Sequence, residues 1–242
     1  MFELTPSDYQ ALWLSAKVAT AATLVALPVG FALAWLLVFS RLPGKPLLEG
    51  LVNLPLVLPP VVVGYLLLIL LGRQGWLGSL LAKAGIQVVF TWKAAVIASA
   101  FIGLPLLVRA IRLGMEQIDP HLLHAARTLG ASRFDTLLTV VLPLSLPSML
   151  AGATLAFARS LGEFGATIIL AGNIPGVTQT IPLAIFDYTN TPGGETQALV
   201  LCLVSIVLSY VVLLFSEAVR RRFRFDRGEK IGRSRERSTV RS

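Results

Sequence analysis

The sequence predicts an all-α, polytopic membrane helix bundle. Of its 242 residues, 55% are hydrophobic and only 14% charged, where soluble domains are about a quarter charged. Charge-free apolar runs of 21 to 23 residues recur along the chain, each long enough to cross roughly 30 Å of hydrocarbon. Basic residues crowd into alternate loops between those runs. So much apolar surface excludes disorder, and the solitary Cys202 excludes a disulfide scaffold.

The first charge-free run is Val18–Ser40, between Lys17 and Arg41, and its span is placed at 13–40. Ala22, Ala26, Gly30 and Ala34 recur there every four residues, a small-residue stripe that lets another helix approach closely. The run is too long for a cleavable signal peptide and lacks its basic start. The second span, 50–72, holds Asn53, Pro55, Pro59 and Pro60 in its first half. Prolines kink a helix and free its carbonyls, which is tolerated where protein or a water-filled cavity covers them. Pro59 and Pro60 are therefore candidates for lining or gating a pathway, with local packing distortion as the alternative.

Ala94–Val108 is shorter, but extension to 93–113 lets Lys93 and Arg109 snorkel towards headgroups. The fourth and fifth spans fall at 137–158 and 196–218. A further apolar run, Phe164–Phe186, is interrupted by Gly172, Asn173, Pro175, Gly176 and Pro182, too often for one helix. Only Phe164–Ala171 reads as helical, and eight residues cannot cross. It is a re-entrant or interfacial piece, or the start of a sixth span if it enters the bilayer.

The net charge of +8 is unevenly placed. Residues 220–242 carry ten basic and three acidic side chains, a net of +7, so the 219 residues before them are close to neutral. This divides the chain into a membrane domain, 1–219, and a basic tail, 220–242. The tail follows an apolar run directly and has few aromatics to stack bases, so membrane lipid rather than nucleic acid is the partner expected for it. With the tail cytoplasmic, five spans put the N-terminus outside. Inside segments then hold sixteen basic residues and outside segments four, which sets the orientation.

The loop after the third span carries a helix of its own. Asp119 is a good N-cap, Pro120 suits the first helical position and Gly130 suits the end. Leu122, Leu123, Ala125, Ala126 and Leu129 share one side of its wheel, and His121, His124, Arg127 and Thr128 the other. Such an apolar face on a cytoplasmic loop needs a partner surface, either lipid or a groove in another protein. Two histidines at i, i+3 lack the further ligands of a metal site. No G-x4-G-K-[ST] phosphate loop occurs in the chain, and nothing in it resembles a hydrolytic triad.

His124-Ala125-Ala126, Gly130, Val140, Leu142 and Pro143 fit the pattern E-A-A-x3-G-x9-I-x-L-P. In this the chain resembles the permease subunits of binding-protein-dependent ABC importers. The spacing matches throughout; His124 replaces the usual Glu and Val140 the usual Ile. The resemblance implies a type I ABC importer permease fold, with residues 120–134 as the coupling helix that sits in a cleft of a cytoplasmic ATPase. His124, Ala125, Ala126, Gly130 and Pro143 are the coupling residues it marks. A second stretch, Phe157 to Thr167 followed by Asn173-Ile174-Pro175-Gly176, Gln179-Thr180-Ile181-Pro182 and Thr191-Pro192-Gly193-Gly194-Glu195, is similar to the molybdate-type permeases and to the related sulfate permeases. The likeness runs to about Arg220 and omits the tail.

Arg159 and Glu163, at i, i+4, are set to pair on a helix. Intramembrane charges often mark a pathway, and an ion pair that fixes two helices is the structural alternative. An anion pathway needs donors that do not hold the ion tightly. Arg159, Ser160, Thr167 and Asn173 supply such donors, with Glu163 beside them. The resemblance implies a homodimer of permeases, an ATPase dimer that binds ATP and Mg, and an extracytoplasmic oxyanion-binding protein. This chain itself would bind no cofactor or metal and would not be an enzyme. The expected role is import of a tetrahedral oxyanion, molybdate or tungstate first and sulfate or thiosulfate second, across a bacterial or archaeal plasma membrane. An ATP-independent channel or secondary transporter, or a membrane scaffold, remains the reading from another class.

Overall fold

Helix α1 (Pro6–Phe39) begins seven residues before the expected start of its span. Thr5 and Asp8 form a reciprocal capping box, the Thr5 hydroxyl accepting from the Asp8 N–H while the Asp8 carboxylate accepts from the Thr5 N–H. Its small-residue stripe is buried from Ala22 to Ala34 and faces α5 (Trp92–Glu116), the central helix of the bundle. The computed structural model describes residues 4–239, with side chains except Ser216 and those from Val219 onward.

Packing around α5 is close because glycines face it from two sides. Leu107 is fully buried. A Cβ on Gly30 of α1 would lie 2.9 Å from its Cδ2, and a Cβ on Gly152 would lie 3.1 Å from its Cδ1. Gly152 belongs to α8 (Leu142–Leu161), so one leucine is held between two glycine-notched helices. This is how membrane helices gain contact where no water drives them together.

The second span is not one straight helix. It breaks into α2 (Lys45–Val57) and α3 (Pro60–Leu71), bent by 114°. Pro59 and Pro60 have no N–H to continue the ladder. The Leu58 N–H closes α2 on the Leu54 carbonyl at 3.1 Å, and the Pro59 carbonyl opens α3 by accepting from Val62 at 2.9 Å. The expected 50–72 crossing is thus two helices meeting at a sharp bend rather than one continuous helix. A short helix, α4 (Trp76–Lys83), occupies what reads in sequence as an outer loop.

The expected 120–134 helix is two pieces, α6 (Pro120–Thr128) and α7 (Arg133–Thr136). A π turn, Leu137–Val141, then leads into α8. Pro143 lies in the first turn of α8 and has no N–H to give the Thr139 carbonyl, so the ladder widens there. Beyond α8 come α9 (Gly165–Leu170), α10 (Ile181–Thr189) and α11 (Glu195–Thr239). Pro182 does not interrupt a helix; it stands in the first turn of α10, where a missing N–H costs nothing.

Among the described residues four helices are long and apolar enough to cross a membrane, and there are five candidates if the bent pair is one span. α9 spans only about 9 Å, too short to cross by itself, and is largely buried, with α3 as its main partner. The basic side chains of residues 220–242 lie outside the described residues.

Two ends of the bundle are distinct. At one, Tyr188 donates to the Asp8 carboxylate at 2.9 Å, the Ile181 N–H donates to Ser15 Oγ at 2.8 Å, and Lys17 Nζ sits 4.1 Å above the Trp92 ring. Ala11, Ala184 and Leu201 pack together there, joining the second turns of α1 and α11 through α10. At the other end, the last turn of α1 borders a cleft shared with α6 and α7. The start of α1 and α6 are therefore at opposite ends.

Candidate functional site

Two groups of predicted residues separate along α8. At its C-terminal end, Arg159 pairs with Glu163 at 2.8 Å; the carboxylate is 1% exposed and the guanidinium 32%. Glu163 stands past the last turn of α8 rather than within it. Its other oxygen accepts from the Ala166 N–H at 2.8 Å, so the same carboxylate satisfies a donor in the first turn of α9. Ser160 and Thr167 are buried nearby in sequence, and the Thr167 hydroxyl is among the buried polar atoms without a hydrogen-bond partner.

The Pro59–Pro60 break reaches this same group. A Cβ on Gly165 would lie 3.0 Å from the Pro60 Cβ, and one on Gly64 would lie 2.8 Å from both the Ala166 Cα and its carbonyl oxygen. Backbone meets backbone here, so α9 and α3 dock without intervening side chains. Pro59 itself is exposed and caps α3. Asn173 does not join the group. It lies past the far end of α9, in a turn where Thr178 Oγ1 accepts from the Ile174 N–H at 2.9 Å and donates to the Gly172 carbonyl at 3.2 Å.

The second group is at the opposite end of α8. Asp119 caps α6 by accepting from the His121 N–H at 2.9 Å. The helix ends as Leu129 and Ala131 donate to the Ala125 and Ala126 carbonyls, with Gly130 left-handed at φ +88. No α6 residue is fully buried. The wheel expected one apolar side, but the protein covers only part of it. Leu123 and Ala126 are half-buried, whereas Leu122, Ala125 and Leu129 are exposed beside His124. Leu129 is 88% exposed and the neighbouring Phe134 66%. Among the described residues nothing covers that apolar surface. Pro143 is exposed as well, at the start of α8.

One polar cluster was not singled out in the sequence. Arg112 pairs with Glu49 at 2.5 Å and with Glu116 at 2.7 Å, tying α2 to the last turns of α5. The Arg112–Glu116 spacing is a readable i, i+4 pair; the Glu49 contact spans 63 residues and leaves no local signal. Among the described residues no group of His, Cys, Asp and Glu is placed to hold a metal.

Residues 26–225 match the family described as binding-protein-dependent transport system inner membrane component. The chain is 53% identical over 219 residues to the molybdenum transport system permease protein ModB of Escherichia coli strain K12, covering 90% of this chain and 96% of that one. The ModB of Haemophilus influenzae is 50% identical, over 92% and 97% of the two chains. The sulfate transport system permease protein CysT of Escherichia coli strain K12 is 40% identical, over 76% and 67%. Among solved structures, a bacterial ABC transporter involved in import of the acidic polysaccharide alginate superposes with a TM-score of 0.72 at 18% identity, over 90% of this chain and 80% of that one. The MetNI methionine ABC transporter gives 0.66 at 16% identity, over 88% and 94%. The chain belongs to the family of binding-protein-dependent transport system inner membrane components, the membrane-spanning subunits of ABC importers.

Proposed function

We propose that this chain is the permease of an ATP-driven importer for a tetrahedral oxyanion, molybdate or the similar tungstate. The observation that carries the substrate is the 53% identity, over nearly the whole of both chains, to a molybdenum transport permease. The 40% identity to a sulfate permease keeps sulfate or thiosulfate as the second reading. Two copies would enclose the pathway, an ATPase dimer binding ATP and Mg would take the exposed face of α6, and an oxyanion-binding protein would dock at the other end. In this orientation the N-terminus is outside and α6 cytoplasmic.

The transport body is nearly neutral, so no bulk positive field holds the anion. That favours a pathway of weakly binding groups, with selection made by the binding protein. Arg159 is neutralised by Glu163, and the neighbouring hydroxyls of Ser160 and Thr167 offer donors without tight capture. When ATP closes the ATPases, α6 would move, and the α7–π–α8 rod would carry that motion to the Glu163 hinge and the docked α9–α3 pair. A ligand-biased two-state element of this kind alternates access.

The deciding measurement is ATP turnover by permease and ATPase in liposomes with the cognate binding protein. Molybdate-loaded protein should stimulate turnover and uptake well above sulfate-loaded protein. Stronger stimulation by sulfate would transfer the assignment to sulfate; uptake by the permease without ATPase would remove the ABC mechanism.

A further inference from the structure

Behind α6 lies a cleft of about 770 Å³ between that helix, the last turn of α1 and the α7–π segment. Its apolar part includes Trp35, Phe39 and Val141, and its polar part Arg41, Arg127 and Arg133. No Asp or Glu lines it. Among the described residues none of the three arginines takes part in an ion pair. The closest carboxylate in sequence, Asp135, is turned to Ser132, accepting from its N–H at 3.1 Å and its hydroxyl at 2.5 Å. All three are exposed, so they form an unpaired basic rim open to an anion from outside the chain.

The position of the cleft matters as much as its charge. α1 ends there, so Arg41 stands just past the end of a span while Trp35 and Phe39 run back along it. Leu123 and Arg127 are the α6 residues that line it, whereas Leu122, Ala125 and Leu129 are exposed. Leu122, Ala125 and Leu129 are not among its lining residues, whereas the exposed Phe134 belongs to both surfaces.

We infer that the cleft binds one anionic glycerophospholipid, its phosphate among Arg41, Arg127 and Arg133 and an acyl chain along Trp35, Phe39 and Val141. Guanidinium forks match phosphate oxygens in pairs, and basic pockets between helices at the cytoplasmic face take anionic headgroups. Because Arg41 follows α1 and Arg127 is on α6, the lipid bridges the body to the coupling helix. It sets how firmly α6 is held when its other face is pulled. The proposed orientation enters only in naming the leaflet as the cytoplasmic one.

The test is native mass spectrometry of the full chain with phosphatidylglycerol and phosphatidylcholine as competing probes. Wild type should retain one phosphatidylglycerol per chain. The R41Q/R127Q/R133Q variant should bind it roughly a hundredfold more weakly, and each single Gln variant about fivefold. R41K/R127K/R133K should keep the preference for phosphatidylglycerol, which guards against misfolding of the neutral variant, and Arg73→Gln at a distance should change nothing. Equal retention by wild type and the triple Gln variant, or no preference over phosphatidylcholine, overturns the site. Displacement by millimolar inorganic phosphate would make it a free-anion site, and expulsion of the lipid by the ATPase would make it a protein interface; either overturns the lipid assignment. Retention is read without transport, so failure here and failure of the importer reading are separate results.

Discussion

Glu163 does two jobs with two oxygens, and they can be separated by substitution. One oxygen faces Arg159 and the other accepts from Ala166 N–H. Glu163→Gln keeps an acceptor for the backbone donor and loses the charge; Glu163→Ala loses both and leaves a buried N–H unpaired. Hydrogen bonds to charged groups are worth about 1.5–3 kcal/mol, and half-exposure of Arg159 moderates the loss of the pair. Thermal unfolding in detergent should therefore rank wild type above Glu163→Gln and Glu163→Ala lowest, by about 2 kcal/mol. An alanine variant as stable as wild type would show that Glu163 does not anchor α9. The i, i+4 spacing disclosed the pair, but not that Glu163 lies beyond the helix end and caps the next one. That depends on where α8 stops, and Gly162 rather than any charge marks that point.

Among the elements, α6 was the most legible because its boundaries are written locally, in Asp119, Pro120 and Gly130. The side of it that stays exposed was not legible, because α7 and the π turn decide which leucines are covered. Gly130 has no atom within 4 Å of where a Cβ would stand, yet its φ is +88. Gly130→Val should act through backbone strain of about 1–2 kcal/mol, shifting the end of α6 without a clash. In proteoliposomes it should lower uptake per ATP hydrolysed several-fold while insertion is unchanged. Coupled transport at the wild-type ratio would remove Gly130 from the coupling set. The α3–α9 contact shows the opposite limit of reading. Gly64 and Gly165 are about a hundred residues apart and look ordinary in sequence; only the fold brings backbone to backbone.

At the scale of the molecule, the start of α1 and α6 lie at opposite ends, and the bias of Lys and Arg between loops is the sequence signal for which end faces the cytoplasm. That bias was legible because insertion itself responds to it. The bend within 50–72, α4 and α10 were not, since a hydropathy run records apolarity and not direction. The orientation makes a direct prediction. Starting from Cys202→Ser, single cysteines at Asn190 and Leu129 should react differently with a membrane-impermeant thiol reagent on intact cells. Asn190→Cys should label at once, and Leu129→Cys only after permeabilisation. The reverse pattern would invert the topology and with it the placement of the ATPase.

The bend at Pro59 also bears on how the chain is made. Each half of that span is too short to cross alone, since α3 extends only about 18 Å. Its packing partner α9 is synthesised about ninety residues later, some 5–20 s at ordinary elongation rates. Through that interval the apolar segment 50–72 is in the membrane without the glycine contact that receives its bent form. Pro59 and Pro60 break the segment from the outset, whereas its backbone contact through Gly64 can close only after that interval.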